Sequence, residues 1–250
     1  MTPSLLAAAA MAGAVIMTST DVKAAELKVL AGGSMTASLR ELAPRFKKAT
    51  GHKLDIAFAG TPDLIKQAVS GAPFDAGVVP VDVMKNEGAR AKFAAAPVTI
   101  ARVGYGVAVK SGARKPDIST PEKFKDAMLA AQSITLYPES AAGAFVMKTF
   151  DTLGIADAMK AKLKAQGTPT GIAPAVASGE AEYGVFLTNV LMAPGVEPVG
   201  PFPGDLQNEL VFVGAVAAGS KNAAAAQAFL DCLRTPEAAA VFRAKGVTAG

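Results

Sequence analysis

Cysteine and histidine each occur once in the 250 residues, aromatic residues make up only 6%, and no run of basic residues forms a block. Each scarcity closes off a class of chemistry. One cysteine forbids an internal disulfide even in an oxidising compartment. Cys232 stands at helical spacing with Phe229 and Leu233, which predicts a buried structural thiol rather than a nucleophile. One histidine, His52 in the turn Thr50-Gly51-His52-Lys53, argues strongly against a His-built metal centre or a Ser-His-Asp triad. The net charge of +4 is scattered over helix faces with no interleaved aromatics. That gives nucleic-acid binding no support, while a mild positive bias suits the capture of anions. Phosphate loops, dinucleotide fingerprints and G-x-S-x-G elbows are missing as well.

Long apolar runs are equally scarce. The one that stands out, Leu5 to Met17, is too short to span a bilayer as a helix. It is followed by a polar stretch and the small-x-small pattern Val22-Lys23-Ala24. Residues 1–24 therefore read as a secretory signal peptide cut near Ala24, although no Lys or Arg precedes the apolar run. Residues 25–250 are then expected to form a soluble periplasmic protein, a monomer with no cofactor and no metal.

What the chain does have is a repeated device. Leu27-Lys28-Val29-Leu30-Ala31 reads as a strand and ends in Gly32-Gly33-Ser34-Met35-Thr36 before a helical pattern. Leu54 to Phe58 does the same, ending in Ala59-Gly60-Thr61-Pro62-Asp63. A strand that feeds a helix N-terminus through glycine and a hydroxyl residue leaves backbone N–H groups unpaired, and those groups favour an anion. Taken singly, each hydroxyl is an ordinary helix cap. Similar turns recur at Ser140-Ala141-Ala142-Gly143, after the strand Ser133–Tyr137, and at Thr168-Pro169-Thr170.

Short β-rich runs alternate with amphipathic helices throughout, the pattern of an α/β sheet flanked by helices, in which ligands sit beyond the carboxyl ends of the strands. Separate strands are predicted at 97–101 and 104–109, and a helix at about 156–165. Two helices close the chain, the second opening on Thr235-Pro236-Glu237. Of the basic residues, Arg102 and Lys66 are expected nearest the strand ends.

The strand and serine turn of Val29–Met35, the segment Phe58-Ala59-Gly60-Thr61, the run Ser70–Asp75 and the C-terminal Pro236–Ala239 with Phe242–Gly246 resemble the periplasmic molybdate-binding proteins. The resemblance runs over essentially the whole chain beyond residue 24. It implies a two-lobed type II solute-binding fold, each lobe a mixed, mostly parallel sheet flanked by helices. Residues 25–103 plus 212–250 would form the first lobe and 104–211 the second, closing on an anion for an ABC-type permease in the inner membrane. By the same resemblance Ser34 and Thr61 donate from the first lobe, and Ala142 with Gly143 from the second. Two positions depart from the pattern. Pro169 stands where a valine offers its N–H, and Leu187 where a tyrosine offers its hydroxyl, so Thr170 and Thr188 are the expected substitutes. Fewer donors weaken the case for molybdate itself, and the expected ligand is a molybdate-like oxyanion or a small organic carboxylate. A minority of this family resembles aconitate isomerase, a cofactor-free enzyme that would need a base and a cation near the cleft. Glu139 and Arg102 are the candidates.

Overall fold

The computed structural model describes residues 24–94 and 96–250; apart from Ala24, the expected signal peptide lies outside the described residues. Among the described residues ten strands join into one curled mixed sheet: β1 (Glu26–Gly32), β2 (Lys53–Ala59), β3 (Ala76–Pro80), β4 (Val98–Lys110), β5 (Ile134–Leu136), β6 (Leu163–Ala165), β7 (Tyr183–Leu187), β8 (Val196–Pro201), β9 (Glu209–Val216) and β10 (Thr248–Ala249). The helices are α1 (Thr36–Thr50), α2 (Thr61–Val69), α3 (Glu87–Arg90), α4 (Pro121–Ala130), α5 (Ala141–Thr152), α6 (Ala156–Lys162), α7 (Ile172–Ser178), α8 (Thr188–Leu191), α9 (Ala223–Cys232) and α10 (Pro236–Ala244).

The two strands expected at 97–101 and 104–109 are one. β4 runs unbroken for 13 residues and changes partners half-way. Up to Gly104 it pairs antiparallel with β9, and from Tyr105 onward with β7. This switch divides the sheet into two lobes: β1, β2, β3, β9 and β10 on one side of it, β5, β6, β7 and β8 on the other. Parallel pairing holds at the margins, in β1–β2, β1–β3, β5–β6 and β5–β7. Around β4 and β9 it is antiparallel, because one strand carries the chain out of the first lobe and the other carries it back. At the switch the Gln207 side chain closes on the backbone of a single β4 residue. Its Oε1 accepts from Tyr105 N–H at 3.0 Å and its Nε2 donates to Tyr105 O at 2.9 Å, and Phe202 N–H donates to the same carbonyl at 3.1 Å.

The helix expected to reach Ala165 stops at Lys162. Leu163–Ala165 instead pairs parallel with β5 as an edge strand, since a short apolar-polar run can satisfy its backbone on a free sheet edge as well as in a helix.

Alternation along β1 sets two cores. Leu27, Val29 and Ala31 face a large cluster with Leu39, Leu42 and Phe46 of α1, whereas Leu30 faces a second cluster with Leu64, Val79 and Val213. Two buried polar groups serve this scaffold. His52 Nδ1 accepts from Ala25 N–H at 3.0 Å, tying the start of β1 to the turn before β2. The Asp75 carboxylate accepts from Lys28 N–H at 2.9 Å, Ser220 Oγ at 2.7 Å and Asn222 Nδ2 at 3.2 Å. Cys232 is half-buried at the end of α9 and unpaired, its thiol pushed up by burial and by Glu237.

Candidate functional site

The strand-to-helix turns converge where the lobes meet. The first turn of α2 and the first turn of α5 lie against each other: Ala141 N–H donates to Thr61 Oγ1 at 3.2 Å. Ser140 caps α5, donating from Oγ to Tyr137 O at 2.8 Å and accepting from Gly143 N–H at 3.0 Å. The N–H of Ala142, at the second position of α5, has no acceptor among the described residues. Two helix N-termini brought together place two partial positive charges side by side, which is unfavourable unless something negative lies between them.

Ser34, Thr61, Ser140 and Ala142 line a small inner cavity closed by Pro169 and Phe186. It leaves about 20 Å³ for the centre of a water-sized sphere, room for about one water or one oxygen of a ligand. No residue lining it carries a charge. It adjoins a larger cavity of about 350 Å³, sharing Gly33, Ser34 and Pro169 with it. The larger space lies between the start of α1 and the segment Pro169–Pro174 with Asn189–Ala193, and its single charged lining residue is Arg40. Arg40 makes no ion pair among the described residues, and its guanidinium lies 5.8 Å from the centre of the Phe58 ring.

Further contacts hold the lobes together here. Asn189 Nδ2 donates to Ser34 O at 2.7 Å; that carbonyl can only accept, which fixes the amide's orientation and leaves Asn189 Oδ1 buried without a donor. The Tyr137 ring, at the end of β5, lies on Gly60 at the end of β2. Burial, then the charges of Asp63 and Glu139, push the Tyr137 phenol above its ordinary value.

Of the residues expected to bind, Ser34, Thr61 and Ala142 meet at the inner cavity, and Thr170 lines the outer one. Gly143 and Thr188 line neither. The Gly143 N–H is taken by Ser140, and a side chain there would collide with the Tyr137 carbonyl, so this glycine allows α5 to start close beneath β5. Thr188 sits over Gly106 in a separate hollow above β4 and β8. Leu187 is buried opposite Tyr105 in the sheet. Glu139, Arg102 and Lys66 are likewise absent from both linings; Lys66 is exposed and paired with Asp63 at 3.3 Å.

Residues 27–248 match the family of bacterial extracellular solute-binding proteins. The chain belongs to that family. Among the curated proteins it is similar to an aconitate isomerase of a Pseudomonas species, 34% identical over 94% of each chain. It is also similar to the molybdate-binding protein ModA of Azotobacter vinelandii, 27% identical over 90% of each. The solved periplasmic molybdate-binding protein of Azotobacter vinelandii shares the fold, with a TM-score of 0.72 at 21% identity over 89% of this chain and 98% of that one.

For a solute-binding protein the instructive omissions from the sequence reading are Arg40, Asn189 and Tyr137. Arg40 carried a usable signal: it lies one helical turn beyond Thr36, on the face that the serine turn begins. Asn189 and Tyr137 carried none, because their importance comes from the lobe opposite.

Proposed function

We propose that the protein is a periplasmic receptor that captures a small anion between its lobes and delivers it to an ABC-type permease. The observation that carries this reading is the convergence of the α2 and α5 N-termini on an uncharged cavity, bridged by the 3.2 Å contact from Ala141 N–H to Thr61. Ser34 and Thr61 hydroxyls and the Ala142 N–H are the donors, with Thr170 at the outer margin. Residues 25–103 with 212–250 form one lobe and 104–211 the other, a division supported by the change of partner between Gly104 and Tyr105. Closure about this crossing follows the hinge mode of two-domain binding proteins.

The similarity to an aconitate isomerase favours a second reading, a proton shift along an unsaturated tricarboxylate on the same scaffold. Such a step needs a base within reach of the substrate. No Asp, Glu, His, Lys or Cys lines either cavity, and this supports binding over catalysis.

A thermal-shift panel with molybdate, tungstate, sulfate, citrate, cis-aconitate and trans-aconitate tests both. Binding of at least one anion, weakened about tenfold or more by Ser34→Ala with Thr61→Ala, is the expected result, since hydrogen bonds to a charged group contribute about 1.5–3 kcal/mol each. No stabilisation by any anion would refute the receptor. Interconversion of the two aconitates on incubation would establish the enzyme instead.

A further inference from the structure

The outer cavity holds a second recognition point that the inner cradle does not need. We infer that Arg40 anchors a second carboxylate, and that the ligand is an organic di- or tricarboxylate with one carboxylate in the cradle and its carbon stem in the outer cavity. This rests on the reading of Ser34, Thr61 and Ala142 as the anion cradle.

The sizes of the two spaces set the problem. About 20 Å³ beside Ser34 and Thr61 leaves room for little more than one oxygen of a head group, whereas the adjoining space of about 350 Å³ is the size of a small-molecule site. A compact tetrahedral oxyanion in the cradle would leave that outer space filled only by water. The walls there are mainly apolar, provided by Ala37, Ala173, Val190 and Met192, and such walls suit the carbon stem of an organic acid.

Arg40 supplies the remaining chemistry. It is the single charged residue of the lining and has no carboxylate partner among the described residues. Its guanidinium is propped by the Phe58 ring at 5.8 Å, which limits its wandering before a ligand arrives. The planar fork matches a carboxylate with two parallel hydrogen bonds. Pro169 strengthens the case from the other side: it occupies the cradle wall without an N–H to offer, so a dianion concentrated in the cradle would lack a donor there. Spreading the charge over two carboxylates places the second beside a cation.

The test is calorimetric titration of the whole chain from residue 25 with citrate, tricarballylate, acetate and molybdate. Wild type is compared with Arg40→Gln, Arg40→Lys and Ser34→Ala/Thr61→Ala, with melting curves to check folding. The expected outcome is tight binding of a tricarboxylate, a loss of tenfold or more in Arg40→Gln and a smaller loss in Arg40→Lys, which keeps the charge without the fork. The ratio of tricarboxylate to molybdate affinity falls with it. A tricarboxylate that binds Arg40→Gln as tightly as wild type overturns the second anchor, and the receptor reading survives if Ser34→Ala/Thr61→Ala still weakens it. Tighter binding of molybdate than of every carboxylate also overturns the anchor. If no anion binds, or the cradle variant is silent, the receptor reading fails and the anchor fails with it.

Discussion

Gly60→Ala is the sharpest probe of the closed cleft. Gly60 precedes α2 with φ −76° and ψ 165°, an extended conformation that alanine adopts freely, so the backbone is not strained by the change. The new methyl is the whole perturbation. Built on this backbone, it would stand 2.5 Å from the Tyr137 hydroxyl oxygen and 2.9 Å from Cζ of the same ring. Tyr137 is 5% exposed and cannot swing away without disturbing its lobe. With the lobes apart the methyl faces solvent and costs nothing; with them closed it costs what overpacking generally does, about 1–3 kcal/mol. A ligand that binds only the closed form then loses about 5- to 150-fold in affinity. Calorimetric titration of the preferred anion measures this loss, and ligand-free melting curves supply the control. Adding Tyr137→Ala to Gly60→Ala should recover part of the affinity, a coupling expected only of residues in contact. Wild-type affinity in Gly60→Ala would refute the closed geometry. A ligand-free melting temperature that falls in step with affinity would refute the idea that the contact forms only on closure.

Other outcomes follow from buried polar groups. Asp75→Ala leaves Lys28 N–H, Ser220 and Asn222 without their shared acceptor and should destabilise the fold by about 1.5–3 kcal/mol, read as a lower denaturant midpoint, while the ligand-induced shift keeps its size. For Tyr137 the folded protein holds the phenolic proton more tightly than the unfolded chain does. Its contribution to stability is therefore fully present below the unfolded value of about 10 and is lost as pH rises through the higher folded value. Denaturation of wild type against Tyr137→Phe from about pH 9 upward should show the wild type losing stability faster; parallel curves would refute it.

Much of the fold was legible because it is written in local patterns. The strand Leu27–Ala31 and the helix opened by Thr235-Pro236-Glu237 are set by alternation, capping and proline placement, and the structure shows the Thr235 cap accepting from Ala238 N–H at 3.3 Å. The break expected between 101 and 104 and the helix expected to reach Ala165 were misread for a shared reason. A residue's partner, not its propensity, decided both: β9 and β7 keep β4 continuous, and β5 recruits Leu163–Ala165. At the site, the hydroxyls that cap or begin helices were visible, whereas Gly143 and Thr188 were not separable from Ala142 and Thr170 until the cavities were known.

By itself the sequence determined an α/β chain with paired strand–glycine–hydroxyl–helix turns, ruled out an internal disulfide and argued against a His-built metal centre, because composition and short-range periodicity act within a few residues. The tertiary structure alone decided that Thr61 meets Ala141 across 80 positions of chain, that Asn189 reaches the Ser34 carbonyl, and that Arg40 stands over an open, mostly apolar space. Those are facts about two lobes folding back on each other through β4 and β9, and no local stretch of residues encodes which turn will face which.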